Sequence, residues 1–209
     1  MDIINKYYSK RALEYEQIYH RDDPVRQSEQ NKIAEEIKKI FYNKNVLEIA
    51  CGTGFWTNFL SEAAKEIVAI DNSNEVLEIA QSKKYKCSTY FQNCDAYNLP
   101  FSANSFDGGL ANFWFSHIPK DKIELFLKGF HKVLLNKALI FIADNIFNES
   151  IGGKLVLDKT SGNTYKIRFL ENGNKYKILK NYYSKEELID IFSREGNILD
   201  FYYGNCFWY

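Results

Sequence analysis

The chain has 209 residues, 45% of them hydrophobic and 26% charged, the balance of a folded globular protein of about one domain rather than of a disordered or membrane chain. Lys plus Arg number 27 and Asp plus Glu number 27, so no global field draws it to nucleic acid or to an anionic membrane. No stretch approaches the roughly 18 uncharged apolar residues of a membrane span.

In chain order, Tyr7 to Tyr19 reads as a helix, and the turn Arg21 to Pro24 (RDDP) breaks it before a second helix that ends near Phe41. Val46 to Ala50 (VLEIA) is a buried strand and Phe55 to Ala64 the helix after it. Glu66 to Ile70 (EIVAI) with Asn74 to Lys83 repeats the unit. Tyr90 to Gln92 and Phe106 to Asn112 are further strands, Lys120 to Leu135 a long amphipathic helix and Ala138 to Ala143 (ALIFIA) a fifth strand. Strands that alternate with helices at this spacing predict a parallel sheet with right-handed crossovers. The rhythm then changes: Thr164 to Leu170 and Lys175 to Leu179 alternate apolar and polar around Glu171 to Asn174 (ENGN), a β-hairpin. Ser184 and Glu187 form a capping box, and Ile198 to Tyr209 closes the chain as paired strands.

The expected fold is therefore α/β: a doubly wound, mostly parallel seven-stranded sheet with helices on both faces, plus a small β-hairpin insertion. One unit is expected, with a helical cap over 1–43, a core over 44–145, the hairpin insertion over 146–183 and a C-terminal helix and strands over 184–209. Four cysteines, Cys51, Cys87, Cys94 and Cys206, fall at spacings of no metal motif. With a polar start from Met1 to Lys10 they point to reduced thiols and a cytoplasmic location.

The sharpest signal is Val46-Leu47-Glu48-Ile49-Ala50-Cys51-Gly52-Thr53-Gly54, a strand running into a glycine loop that opens a helix. Gly52 and Gly54 let the backbone turn tightly and a ligand approach closely. Glu48, at the strand end, suits a cationic or hydroxylated group. Asp71 follows the next strand, 23 residues beyond Glu48, where a carboxylate can accept both hydroxyls of a ribose.

With these residues the chain resembles the class I, Rossmann-like S-adenosylmethionine-dependent methyltransferases over roughly Val46 to Ala143. The resemblance implies that Glu48, Ala50, Gly52 and Gly54 contact the methionine part of S-adenosylmethionine. It implies that Asp71 holds the ribose with Asn72 beside the adenine, that Asp95 bonds the adenine amino group with Ala96 supplying backbone, and that Asn112 completes the cofactor site. The product would be S-adenosylhomocysteine. The family often has glycine where this chain has Ala50. A nicotinamide-binding reading would need glycine at Thr57.

The implied activity is methyl transfer to an O, N or carboxylate of a small molecule. Methylation of DNA or RNA bases is disfavoured, because the fourth strand leads into Asn112-Phe113-Trp114-Phe115 and not into [DN]-P-P-[YF], and no basic arm is present. A protein that keeps the cofactor site without catalysis is the alternative of another class. No membrane, nucleic-acid or metal partner is expected, and the sequence does not indicate an oligomer. Of three histidines, His117 follows the fourth strand, the edge where open α/β sheets place ligands, and is the candidate base, with capping or packing against the next helix, or lining the cofactor, as the competing roles. His131 lies within a helix and reads as structural, and His20 borders the RDDP turn. Tyr15, Tyr19, Trp56 and Trp114 are the candidate substrate contacts, with packing as the competing role for the two tyrosines. The hairpin of Thr164 to Leu179 is placed over the substrate side, or acts as a structural or dimerising element.

Overall fold

The computed structural model describes residues 15–149, 154–169 and 175–209. The expected helix from Tyr7 lies mostly outside them, as do the side chain of Tyr15 and the hairpin turn; what is described of that helix is one 3-10 segment, Tyr15–His20. The RDDP turn does what its composition predicts. Asp23 caps helix α1 (Pro24–Ile40) by accepting the Arg26 N–H at 3.0 Å, and Pro24 occupies the first turn, where a missing N–H costs nothing.

Strands β1 (Asn45–Ile49), β2 (Glu66–Asp71), β3 (Ser88–Asn93), β4 (Phe106–Asn112) and β5 (Leu134–Asn145) are parallel in the order β3-β2-β1-β4-β5. Helices α2 (Phe55–Ser61), α3 (Asn74–Gln81) and α4 (Ile123–Val133) connect them. The period of two along the strands divides the interior. Val46, Ile67, Leu110 and Phe141 face α1 and α2, while Leu47, Ile49, Ile70 and Ile140 face α4 and the C-terminal helix α5 (Lys185–Ser193). The winding reverses between β1 and β4, which opens a crevice at their carboxyl ends.

The hairpin is present as a separate antiparallel sheet, β6 (Leu155–Leu157), β7 (Thr164–Phe169) and β8 (Lys175–Leu179). The capping box at Ser184 and Glu187 forms as expected.

Two expectations need correction. Among the described residues the main sheet has six strands and not seven: β9 (Phe207–Trp208) pairs antiparallel with β5, and the seventh is reduced to Tyr202 and Gly204 hydrogen-bonding back to Tyr209 and Phe207. The buried Glu29 carboxylate shapes this end by accepting the N–H groups of Asn205, Cys206 and Phe207 at 2.8, 3.0 and 3.0 Å, so the chain turns too sharply for a full strand. Second, helix α4 stops at Val133 although the apolar period runs on to Leu135. Leu134 is buried opposite Phe106, and the register then jumps to Gly108 opposite Leu139, a bulge with Lys137 at φ 66°. No helix among the described residues is long and apolar enough to cross a membrane.

Candidate active site

The loop after β1 curls through three left-handed residues, Ala50 (φ 54°), Gly52 (φ 57°) and Gly54 (φ 80°). This conformation suits glycine and strains alanine. Asp71, at the tip of β2, staples the loop: one carboxylate oxygen accepts the Gly52 N–H at 2.9 Å and the other accepts the Ser73 N–H at 3.0 Å. A Cβ on Gly52 would stand in open space, so this glycine is needed for its backbone angle. Gly54 differs from its expected place. It is not on the cavity wall, and a Cβ there would run into the Tyr85 hydroxyl, so its bare Cα seats α2 against the segment after α3. Over the loop, Thr53 donates to Glu16 at 2.6 Å, and Lys83 pairs with the same carboxylate.

Beside this loop, at the carboxyl ends of β1, β2 and β4, lies a cavity of about 380 Å³. Glu48, Ala50, Gly52, Asp71, Asn72, Asp95, Ala96, Asn112, His117, Tyr19, Trp56 and Trp114 all line it. Glu48 is 2% exposed, its Oε2 has no hydrogen-bond partner of normal geometry, and burial, opposed by the nearby Thr57 hydroxyl, pushes its carboxyl up to about 8. Both amide atoms of the buried Asn112 are also without partners. Burial raises Asp71 as well, against the pull of the Ser73, Gly52 and Asn72 N–H groups. Asn72 and Asp95 are exposed, and Asp95 accepts the Tyr97 N–H at 2.9 Å. Buried polar atoms left unsatisfied are rare and costly. Three such atoms, Glu48 Oε2 and the two Asn112 amide atoms, belong to residues that line this cavity.

Aromatic rings form another wall. Tyr19 stacks on Phe55 at 3.9 Å and accepts the Trp56 indole N–H at 3.3 Å, and Trp56 stacks on Phe113 at 5.4 Å. The packing role weighed for Tyr19 is thus seen together with a place on the cavity. Phe113, the residue after β4, holds φ 59°, a strained conformation of the kind that collects at functional sites. Trp114 is half-buried between Phe126 and Tyr97.

His117 donates from Nδ1 to the Leu179 carbonyl at 2.7 Å, which joins the β4 edge to the hairpin. Burial, aided by the charge of Lys180, lowers its pKa to about 3, so the imidazole is neutral at physiological pH and weak as a proton acceptor. Behind it the buried Asp144 pairs with Lys180 at 3.1 Å and accepts the Ser116 N–H at 2.8 Å. His20 and His131 are exposed and stand outside this cavity.

Tyr165, Lys177 and Leu179 of the hairpin complete the wall with Tyr97 and Lys122. Sequence reasoning did not name these residues. Period two would group Tyr165 with Lys177 and Leu179, because the register pairs Tyr165 with Leu179 and Ile167 with Lys177. Which face of the hairpin meets the cavity is a tertiary fact.

Residues 46–137 match the family described as methyltransferase domain. The demethylmenaquinone methyltransferase of Staphylococcus haemolyticus is 35% identical over 92 residues, 42% of this chain and 38% of that protein. The demethylmenaquinone methyltransferase of Staphylococcus epidermidis is 33% identical over 128 residues, 56% of this chain and 52% of that protein. The chain thus spans about half or less of the length of the curated relatives it matches. The solved structure of a DhpI-SAM-HEP complex is 23% identical, has a TM-score of 0.76 and is matched over 97% of this chain and 93% of its own. At that identity the likeness shows the fold.

Proposed function

We propose that this chain, whose residues 46–137 match the family described as methyltransferase domain, binds S-adenosylmethionine in the cavity beside the glycine loop and methylates a small molecule. The observation that carries this reading is that Glu48, with its buried, unpartnered Oε2, lines the same cavity as Asn112, whose amide atoms are also unpartnered, and Asp71. Glu48 would take the ammonium of the methionine part, whose charge offsets the burial of the carboxylate. The curled backbone of Ala50 and Gly52 lets that part lie close, with Gly54 contributing through the shape of the loop. Asp71 keeps lone pairs beyond the two N–H groups it accepts, and these would receive the ribose hydroxyls. Asn72, Asp95 and Ala96 stand on the wall for the adenine, and Asn112 closes the site toward the acceptor.

When bound, S-adenosylmethionine supplies a sulfonium-activated methyl carbon, which the acceptor's lone pair takes while the sulfur keeps the electrons of the broken bond. The chain's own task is alignment and exclusion of water, which can contribute roughly 7 to 11 kcal/mol. Tyr19, Trp56 and Trp114 wall off water, and His117 offers a neutral hydrogen-bonding group to the acceptor. An imidazole of such low basicity suits an acceptor that needs no base, such as a carboxylate.

Calorimetry with S-adenosylhomocysteine tests the cofactor assignment. The wild type is expected to bind one equivalent, and Asp71→Asn, which preserves shape, to bind at least about tenfold more weakly, the loss of one charge-assisted contact of about 1.5 kcal/mol or more. Equal affinity of the two proteins would remove Asp71 from the site.

A further inference from the structure

We propose that the methyl acceptor is a small molecule bearing an oxyanion, seated against Lys122 and Lys177 at the hairpin side of the cavity. This rests on the reading of the other side as the place of the sulfonium nucleoside. The two ammonium groups belong to separate elements, the turn before α4 and strand β8, yet both line the one cavity. Each is held over the face of an aromatic ring on the same wall: Lys177 Nζ lies 4.2 Å from the Tyr165 centroid and Lys122 Nζ 5.2 Å from that of Tyr97. A ring face orients a cation without neutralising it and leaves its N–H donors available.

Neither lysine has a carboxylate within 4.0 Å among the described residues. Lys180, just beyond β8 and half-buried, is by contrast paired with the buried Asp144. Lys122 and Lys177 are thus exposed cations on the cavity without an ion pair among the described residues. Asp158, the acid of the strand connection, is engaged by Thr160 and Ser161 at 3.0 and 2.8 Å and feels the charge of Lys177 without forming an ion pair with it. Lys166 and Arg168 extend the positive character of β7, and Lys166 is lowered to about 8 by burial and by the charges of Arg168 and Lys180. The acids of the cavity wall, Glu48, Asp71 and Asp95, come from the ends of β1 and β2 and from the residues after β3. The cleft is thus built with one acidic and one basic side, and lysine is a compact point charge suited to carboxylate or phosphate oxygens. Trp114 and His117 line the same wall and would flank the acceptor.

Trp56 and Trp114 stand on this wall, so indole fluorescence reports occupancy. Inorganic phosphate and acetate would be titrated separately into the wild type and the Lys122→Ala/Lys177→Ala double variant, with and without saturating S-adenosylhomocysteine, and 1-propanol would serve as the neutral probe. Both lysines are exposed, and a thermal midpoint within a few degrees of the wild type, with Lys122→Gln/Lys177→Gln in parallel, controls for folding. The expected result is saturable binding of one or both anions, weakened at least tenfold in both double variants and weakened by added salt, with propanol silent and affinity for S-adenosylhomocysteine within twofold of the wild type. Preference for phosphate or for acetate then distinguishes the two oxyanion classes. Absence of saturable anion binding, or equal binding by the variants, while S-adenosylhomocysteine still binds would overturn the inference and leave the nucleoside reading standing. Lysine-dependent anion binding in a protein that ignores S-adenosylhomocysteine would overturn the acceptor role together with the nucleoside reading.

Discussion

Ala50 is where the chain departs from the habit of the family it resembles, and the structure shows what the departure costs. Its φ of 54° lies in the left-handed region, which disfavours an L-residue by about 1 to 2 kcal/mol. Glycine would remove that strain and return about 0.4 to 1 kcal/mol through the greater freedom of the unfolded chain. Ala50→Gly is therefore expected to stabilise the protein by about 0.5 to 1 kcal/mol, read from urea unfolding at constant slope. Destabilisation of more than about 0.5 kcal/mol would show that the Ala50 methyl makes packing contacts worth more than its strain. At this scale most of the site was legible. Glycines in a strand-to-helix loop and a carboxylate at the next strand end carry chemistry in their spacing, and Glu48, Ala50, Gly52, Asp71 and Asn112 do share one cavity. Gly54 is not among the residues of that wall, and a glycine needed to admit Tyr85 looks the same in sequence as one needed to admit a ligand.

Elements were legible where one periodicity held without competition. The strands β1, β2 and β4 and the Ser184 capping box stand close to their expected bounds. The period failed where tertiary partners overrode it. Leu134 leaves the helix pattern to meet Phe106, and the end of the chain is drawn into a tight turn by Glu29, some 176 residues away. No local window contains that partner. Glu29→Ala removes a 3% exposed carboxylate that accepts three backbone N–H groups, and is expected to destabilise the protein by about 2 to 4 kcal/mol. Glu29→Gln, which keeps one acceptor oxygen, should lose less. Amide exchange at Cys206 and Phe207 checks the cause: it should accelerate first and most in Glu29→Ala, whereas uniform acceleration would mean that the tether is not local.

On the scale of the whole molecule, a neutral chain hides a divided cleft. Composition reports 27 charges of each sign, but the fold gathers Glu48, Asp71 and Asp95 from the ends of the parallel strands and brings Lys122 and Lys177 to the same cavity from the α4 turn and the hairpin. The acidic part is readable because Glu48 and Asp71 stand at successive strand ends around the glycine loop and Asp95 is carried by the resemblance. The basic part is not, because it depends on how a separate sheet docks. The acidic side also makes the ligand-free molecule sensitive to pH. Glu48 ionises near 4.5 in the unfolded chain and near 8 in the folded one, so its contribution to stability is present below 4.5 and is lost as pH rises through 8. A cationic ligand reverses that preference by drawing the carboxyl into its ionised form.

The most direct measurement is therefore calorimetric titration with S-adenosylmethionine at pH 7 in two buffers of different ionisation enthalpy, on the wild type and on Glu48→Gln. The account predicts 1:1 binding with release of up to about one proton per site in the wild type, and weaker binding with no release in the variant. Binding without proton release in the wild type, or no binding at all, would contradict it.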